Sequence, residues 1–140
     1  MPDIQYIRPV GRRIYTSTAK HQRHAHNNHS KWVSVPIEQQ TFDAADYGNH
    51  HQATGNLPWE NGDGNFWGFL FNFPEVGTEK QQFGYFVNSN NPVNYWHGYP
   101  AIPFSKKRLF ISQELIARWV DEGFLEEDDV EDLLKQKRIK

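Results

Sequence analysis

Large apolar residues alternate with small or polar ones most regularly between Asn65 and Tyr99, a stretch holding over half of the chain's aromatic residues. Side chains along a strand alternate between its two faces, so the pattern predicts strands over Asn65–Phe73 and Gln81–Asn88. The intervening P-E-V-G-T-E-K reads as a loop, with Pro at its entry and Gly77 at its centre. Symmetry about Gly77 sets Phe71 opposite Phe83, Phe69 opposite Tyr85 and Trp67 opposite Val87. Those residues and Phe73 then share a core face. On the other face Gly68 falls opposite Phe86 and Gly84 opposite Leu70, each glycine leaving room for a large neighbour. This second face, with Phe66, Leu70, Gln82 and Phe86, is amphipathic and calls for partial cover. Ser89–Pro92 reads as a turn and Val93–Tyr99 as a third strand, with Val93, Tyr95, His97 and Tyr99 on one face and Pro100 and Pro103 ending it.

Toward the N-terminus the pattern is weaker. Ile4–Val10 and Arg13–Thr16 are short β-branched or aromatic runs split by Pro9 and Gly11, which suits an edge. Thr16–Ser30 reads as a histidine-rich loop. Lys31–Ile37 alternates Trp32 and Ser34 with Val33 and Val35 and is predicted as a strand. Glu38–Asp63 is polar without clear periodicity, an uncomfortable length for a loop in a compact domain, and a short helix within Gln39–Tyr47 relieves it in part.

Helical periodicity is clearest at the C-terminus. Ser112 is a suitable N-cap, Leu115, Ile116, Trp119 and Val120 form one stripe, and Gly123 stands where a helix stops. Glu126–Asp129 opens a second helix with Val130, Leu133 and Leu134 on its apolar face, and Lys135, Lys137 and Arg138 follow. The run Leu115–Leu134, with its Gly-Phe-Leu-Glu-Glu-Asp turn, resembles the short helical hairpins called SHOCT domains, which implies a helical interaction element. The predicted fold is α+β: one domain over residues 1–140, an antiparallel sheet of about four or five strands, and a C-terminal helical hairpin packed on or beside it. Trp119 is expected to be buried against the sheet.

Composition changes this picture little. The chain has 140 residues, 37% hydrophobic and 15% aromatic, so rings fill much of the core. It has no cysteine, which excludes disulfides and thiolate metal sites. Neither a membrane span nor a secretory signal is read from it, and a cytoplasmic location is expected.

Charge is more telling, because the net −2 is unevenly spread. Residues 1–31 carry six Lys or Arg against Asp3 alone, residues 32–105 carry Lys80 against seven acids, and residues 106–140 are nearly balanced. A basic N-terminal segment of this kind either contacts a polyanion such as nucleic acid or is simply solvated.

Four features bear on chemistry. His21, His24, His26 and His29 could wrap a transition metal, but no acidic residue lies among them and Lys20 and Arg23 would repel a cation. No tightly held metal and no cofactor is expected. His97 precedes the basic cluster Lys106, Lys107 and Arg108, whose charge could hold a phosphate, and with a second histidine from the basic N-terminal segment it would suffice for metal-independent RNA cleavage. Lys80–Val87 resembles the RNP1 signature of RNA-recognition motifs at Phe83, Gly84 and Tyr85, which implies base stacking. It departs from that signature at Gln82, Phe86 and Asn88. Asn61-Gly62-Asp63-Gly64 is too short for a calcium loop and reads as a turn. No phosphate-binding loop or nucleophile elbow is found.

Two function classes follow. The favoured one is a non-catalytic domain that binds another protein through Phe66, Phe86 and Trp96 and through the acidic residues Glu126, Glu127, Asp128 and Asp129. The motivation is that Asn65–Tyr99 holds more rings than one sheet face can bury. The alternative is a small nuclease-like enzyme that acts on RNA through His97 and the nearby basic residues.

Overall fold

A computed structural model describes residues 2–51, 56–89 and 95–139. It is an α+β domain whose five strands are β1 (Ile4–Tyr6), β2 (Ile14–Ser17), β3 (Phe66–Gly68), β4 (Phe83–Ser89) and β5 (Tyr95–Ala101). Their spatial order is β1-β2-β5-β4-β3. Three helices accompany them: α1 (Val35–Tyr47), α2 (Gln113–Asp121) and α3 (Glu127–Leu134). None of the described helices is long and apolar enough to cross a membrane.

The sheet is mixed rather than wholly antiparallel, because β2 runs parallel to β5, with Ile14 beside Tyr95 and Tyr15 beside Trp96. A parallel neighbour needs a long connection, and the whole of residues 18–94 supplies it. The predicted turn at Ser89–Pro92 lies outside the described residues except for Ser89, as do Val93 and Asn94 of the predicted third strand. In β5 the pairing runs on through Pro100, which faces Gly84. Proline is tolerated there because β2 pairs with β5 only at its other end.

The β3–β4 register differs from the symmetric one by two residues. Phe66 pairs with Phe86, Trp67 with Tyr85 and Gly68 with Gly84. A two-residue shift keeps every side chain on its face, so Trp67, Phe69, Phe83 and Tyr85 still share one core, with Val87 and Phe73 packed at its margin. Phe71 does not join them. β3 ends at Gly68, the chain turns at Leu70–Phe73, and Phe71 is 65% exposed.

Gly68 and Gly84 lie side by side for a packing reason. A Cβ at Gly84 would come within 2.8 Å of Phe86 Cζ and 2.6 Å of the Trp32 ring, and one at Gly68 would meet Phe86 at 3.1 Å. Together with Gly98 they floor a pit that Phe86 fills. The second sheet face is therefore a full core: Tyr15, Trp32, Phe42, Ala45, Phe66, Val76, Phe86 and Trp96 close it beneath α1.

That cover comes from a segment read as a strand over Lys31–Ile37 and a short helix within Gln39–Tyr47; the helix is present and begins four residues earlier, at Val35. Lys31–Ile37 contributes only one bridge, Trp32 to Gly77, before Ser34 caps α1 by accepting the Ile37 N–H at 3.2 Å. Pro36 sits in the first turn, where its missing N–H costs nothing. Helix α1 shows no simple apolar stripe because Glu38, Asp43 and Asp46 are themselves buried.

Helices α2 and α3 form as their caps specify. Ser112 Oγ accepts the Leu115 N–H at 3.1 Å, Gly123 takes φ +82°, and Glu126 and Asp129 make a reciprocal capping box. Leu115, Trp119 and Leu133 enter the first core, with Trp119 fully buried against Phe69 and Phe83. The two helices are not closely paired with each other, as a tight hairpin would require. Each docks on the shared core. The Asn61–Gly64 turn anchors this end: Asn61 Nδ2 donates to the Phe110 carbonyl at 2.8 Å, and its Oδ1 accepts the Ser112 N–H at 2.7 Å.

Candidate functional site

The N-terminal arginines are used internally. Arg8, Arg12 and Arg13 converge on Asp46 at 2.6–2.9 Å, and Arg8 also reaches Asp43 at 2.7 Å. The Asp46 side chain is wholly buried and that of Arg8 is 3% exposed, so the Arg8 charge is spent inside the fold, while Arg12 and Arg13 pair with Asp46 and stay partly exposed. Their partners project from α1 one turn apart.

A second buried polar network had no signal in the sequence. Tyr15 Oη and Ser17 Oγ each donate to the Glu38 carboxylate at 2.6 Å. Burial raises the Glu38 pKa to about 7, and the two hydroxyls oppose that rise. Burial also raises Tyr15, with the Glu38 charge adding to it. Fully buried, the group ties α1 to β2.

Phe66, Phe86 and Trp96 lie in the core beneath α1, so the contact surface expected of them is closed. The physical reason is the 13-residue α1, a far larger lid than the partial cover anticipated. Phe83 and Tyr85 are buried in the opposite core, which denies them the base-stacking role that the RNP1 resemblance implies.

The acidic residues are different. Glu127 and Asp128 are exposed, and Glu126 and Asp129 line a cleft of about 530 Å³ with Phe71, Phe73, Phe124 and His50. Asn72 and Phe73 both take positive φ, +67° and +54°. Non-glycine residues pay for that conformation, and here it turns Phe71 outward. His50 sits edge-on among Trp59, Phe69, Phe71 and Phe124 at 4.9–6.2 Å. Burial, then the neighbouring His51, lower its pKa to about 4, so it is neutral at pH 7. One wall of the cleft is thus apolar and the other anionic.

The histidine-rich loop and the basic cluster meet beside Tyr99, which packs against the first core. His21 and Tyr99 stack with centroids 5.3 Å apart, and His29 meets His21 edge-on at 5.3 Å. His21 Nδ1–H donates to the Ser30 carbonyl at 2.8 Å. Burial lowers the His21 pKa to about 4 despite that bond. Around these rings Lys20, Lys106 and Arg108 line a cleft of about 500 Å³. His24 and His26 line a separate recess, and among the described residues no three His, Asp or Glu are grouped to hold a metal. His97 and Lys107 do not line the cleft with Lys106 and Arg108. His97 is half-buried, its pKa lowered by burial and then by Lys20.

No protein-family model, curated protein or solved structure matches the chain, so neither resemblance read from its sequence gains support and the two clefts are read from their own chemistry.

Proposed function

We propose that this chain is a non-catalytic domain that binds another protein, through the cleft between Phe71 and the start of α3. The observation that carries the reading is Phe71 itself. A ring 65% exposed, beside two residues in left-handed backbone conformation, stands next to Glu126 and Asp129. Aromatic rings presented to solvent next to charged groups are typical interface anchors. Burying the Phe71 ring would contribute about 1.5–3 kcal/mol.

The partner's chemistry follows from the walls. Glu126, Glu127, Asp128 and Asp129 call for a basic segment, and Phe71, Phe73 and Phe124 call for a large apolar side chain within it. The acids steer the encounter more than they hold the complex, so association slows as salt rises. Catalysis is a weaker reading, since His97, the acid/base candidate, stands apart from Lys106 and Arg108.

Selection from a displayed library of random short peptides tests the proposal. The expected winners combine Lys or Arg with one large apolar residue, and Phe71→Ser removes their enrichment. A library that yields no binders, or only binders indifferent to Phe71→Ser, contradicts it.

A further inference from the structure

The cleft beside Tyr99 does not stand alone. It shares Glu79 and Ile102 with a neighbouring cleft lined by Lys80, Lys137 and Arg138, and it shares Lys20 with the recess lined by His24 and His26. The three are neighbours on the surface. Six fixed cations line them (Lys20, Lys80, Lys106, Arg108, Lys137 and Arg138) against the single carboxylate of Glu79. Among the described residues only Arg138 of the six has an ion-pair partner, Glu75, which lies outside the three clefts. The chain as a whole is slightly acidic, so this concentration of unneutralised charge is local.

From this geometry we infer that the three adjacent clefts are a track for single-stranded nucleic acid. Two observations separate that ligand from a small anion. The cations extend through three clefts, more than one phosphate group can engage, and a chain of phosphates is the polyanion that follows such a line. Ring surfaces interleave with them: exposed His29 and half-buried Tyr99 stand at the centre of the track, and His24 and His26 are exposed at one end. Stacking on rings requires bases free of a duplex. None of these residues belongs to the Phe71 cleft, so the inference is independent of the protein-binding reading.

The sequence hid this site because its cations come from three segments, around residues 20, 80–108 and 137–138, that are far apart along the chain.

Fluorescence anisotropy of a labelled oligouridylate with the full chain tests the inference. Saturable binding at low salt is expected, weakening steeply as salt rises. The double variant Lys106→Glu/Arg108→Glu, both exposed positions, should weaken it by about tenfold or more. Lys135→Glu, at the C-cap of α3, outside the three clefts and already paired with Glu131, should leave it unchanged. Circular dichroism confirms that each variant folds. No binding at low salt, or equal weakening by Lys135→Glu, overturns the site. A duplex that binds as tightly as the single strand, or polyglutamate that competes as well as RNA, overturns the assigned ligand.

Discussion

Phe86 faces Gly98 directly across the β4–β5 ladder, and its ring occupies the space that a side chain at Gly98 would fill. The contact fixes the second core, because Tyr15, Trp32 and Phe42 all pack their rings against Phe86. Gly98→Ala must therefore push Phe86 out of place. Overpacking of this kind costs about 1–3 kcal/mol, to be read as a lower urea midpoint at unchanged slope. Phe86→Leu should offset part of that cost in the double variant, since the two sites share one space.

The arginine cluster makes a second stability prediction. Asp46 is the common partner of Arg8, Arg12 and Arg13. Asp46→Asn would leave the buried Arg8 side chain with Asp43 but without its second carboxylate. Removing one member of a buried ionic network costs about 3–5 kcal/mol. Chemical denaturation checks it, and a loss within 0.5 kcal/mol, the range of ordinary surface substitutions, would place these charges on the surface after all.

Glu38 gives a pH dependence whose sign is fixed. Its folded pKa, about 7, lies above that of a carboxyl in the unfolded chain. The folded state therefore holds the proton more tightly, and the resulting stabilisation is full below about pH 4.5 and lost as pH rises through about 7. His21 and His50, both lowered to about 4 by burial, act oppositely: their contribution is present above about pH 6.5 and lost as pH falls toward 4. The terms separate by substitution. Wild type should gain on Glu38→Gln as pH falls from 7 to 4.5, in paired melts at each pH. A constant difference across that range would show that Glu38 titrates normally.

These features also mark what could be read from the chain. The C-terminal helices were legible because Ser112, Gly123 and the acids at 126–129 are local signals acting on their own helix ends. The faces of the central strands were legible because alternation survives a two-residue shift, although the register itself was not, since β3 stops at Gly68 and the connection is not centred on Gly77. Helix α1 was obscured by Glu38, Asp43 and Asp46, polar residues that face inward because Tyr15, Ser17 and the N-terminal arginines meet them there. No local pattern announces a partner that distant. The parallel β2–β5 pairing was hidden for the same reason. Of the proposed binding surface, the exposed acids at 127 and 128 were legible, whereas Phe66, Phe86 and Trp96 are buried beneath a helix longer than the short one predicted within Gln39–Tyr47, and Phe71 is the ring left outside.

The central claim is that Phe71 and the acidic turn form one interface. Its most direct test is the Kd of a selected basic peptide for wild type, Phe71→Ser and Glu127→Lys/Asp128→Lys, measured with each variant's melting temperature. Phe71 is exposed, so its substitution should leave folding unaffected, while the reversal at the first turn of α3 opposes the helix dipole by about 0.3–1 kcal/mol per charge, which the melting temperature reports. The account predicts that Phe71→Ser raises Kd by about tenfold or more, as loss of an aromatic anchor does. The acid reversal should chiefly slow association and flatten its salt dependence. A Kd within about twofold of wild type for Phe71→Ser, well under the 1.4 kcal/mol that a tenfold change represents, would contradict it.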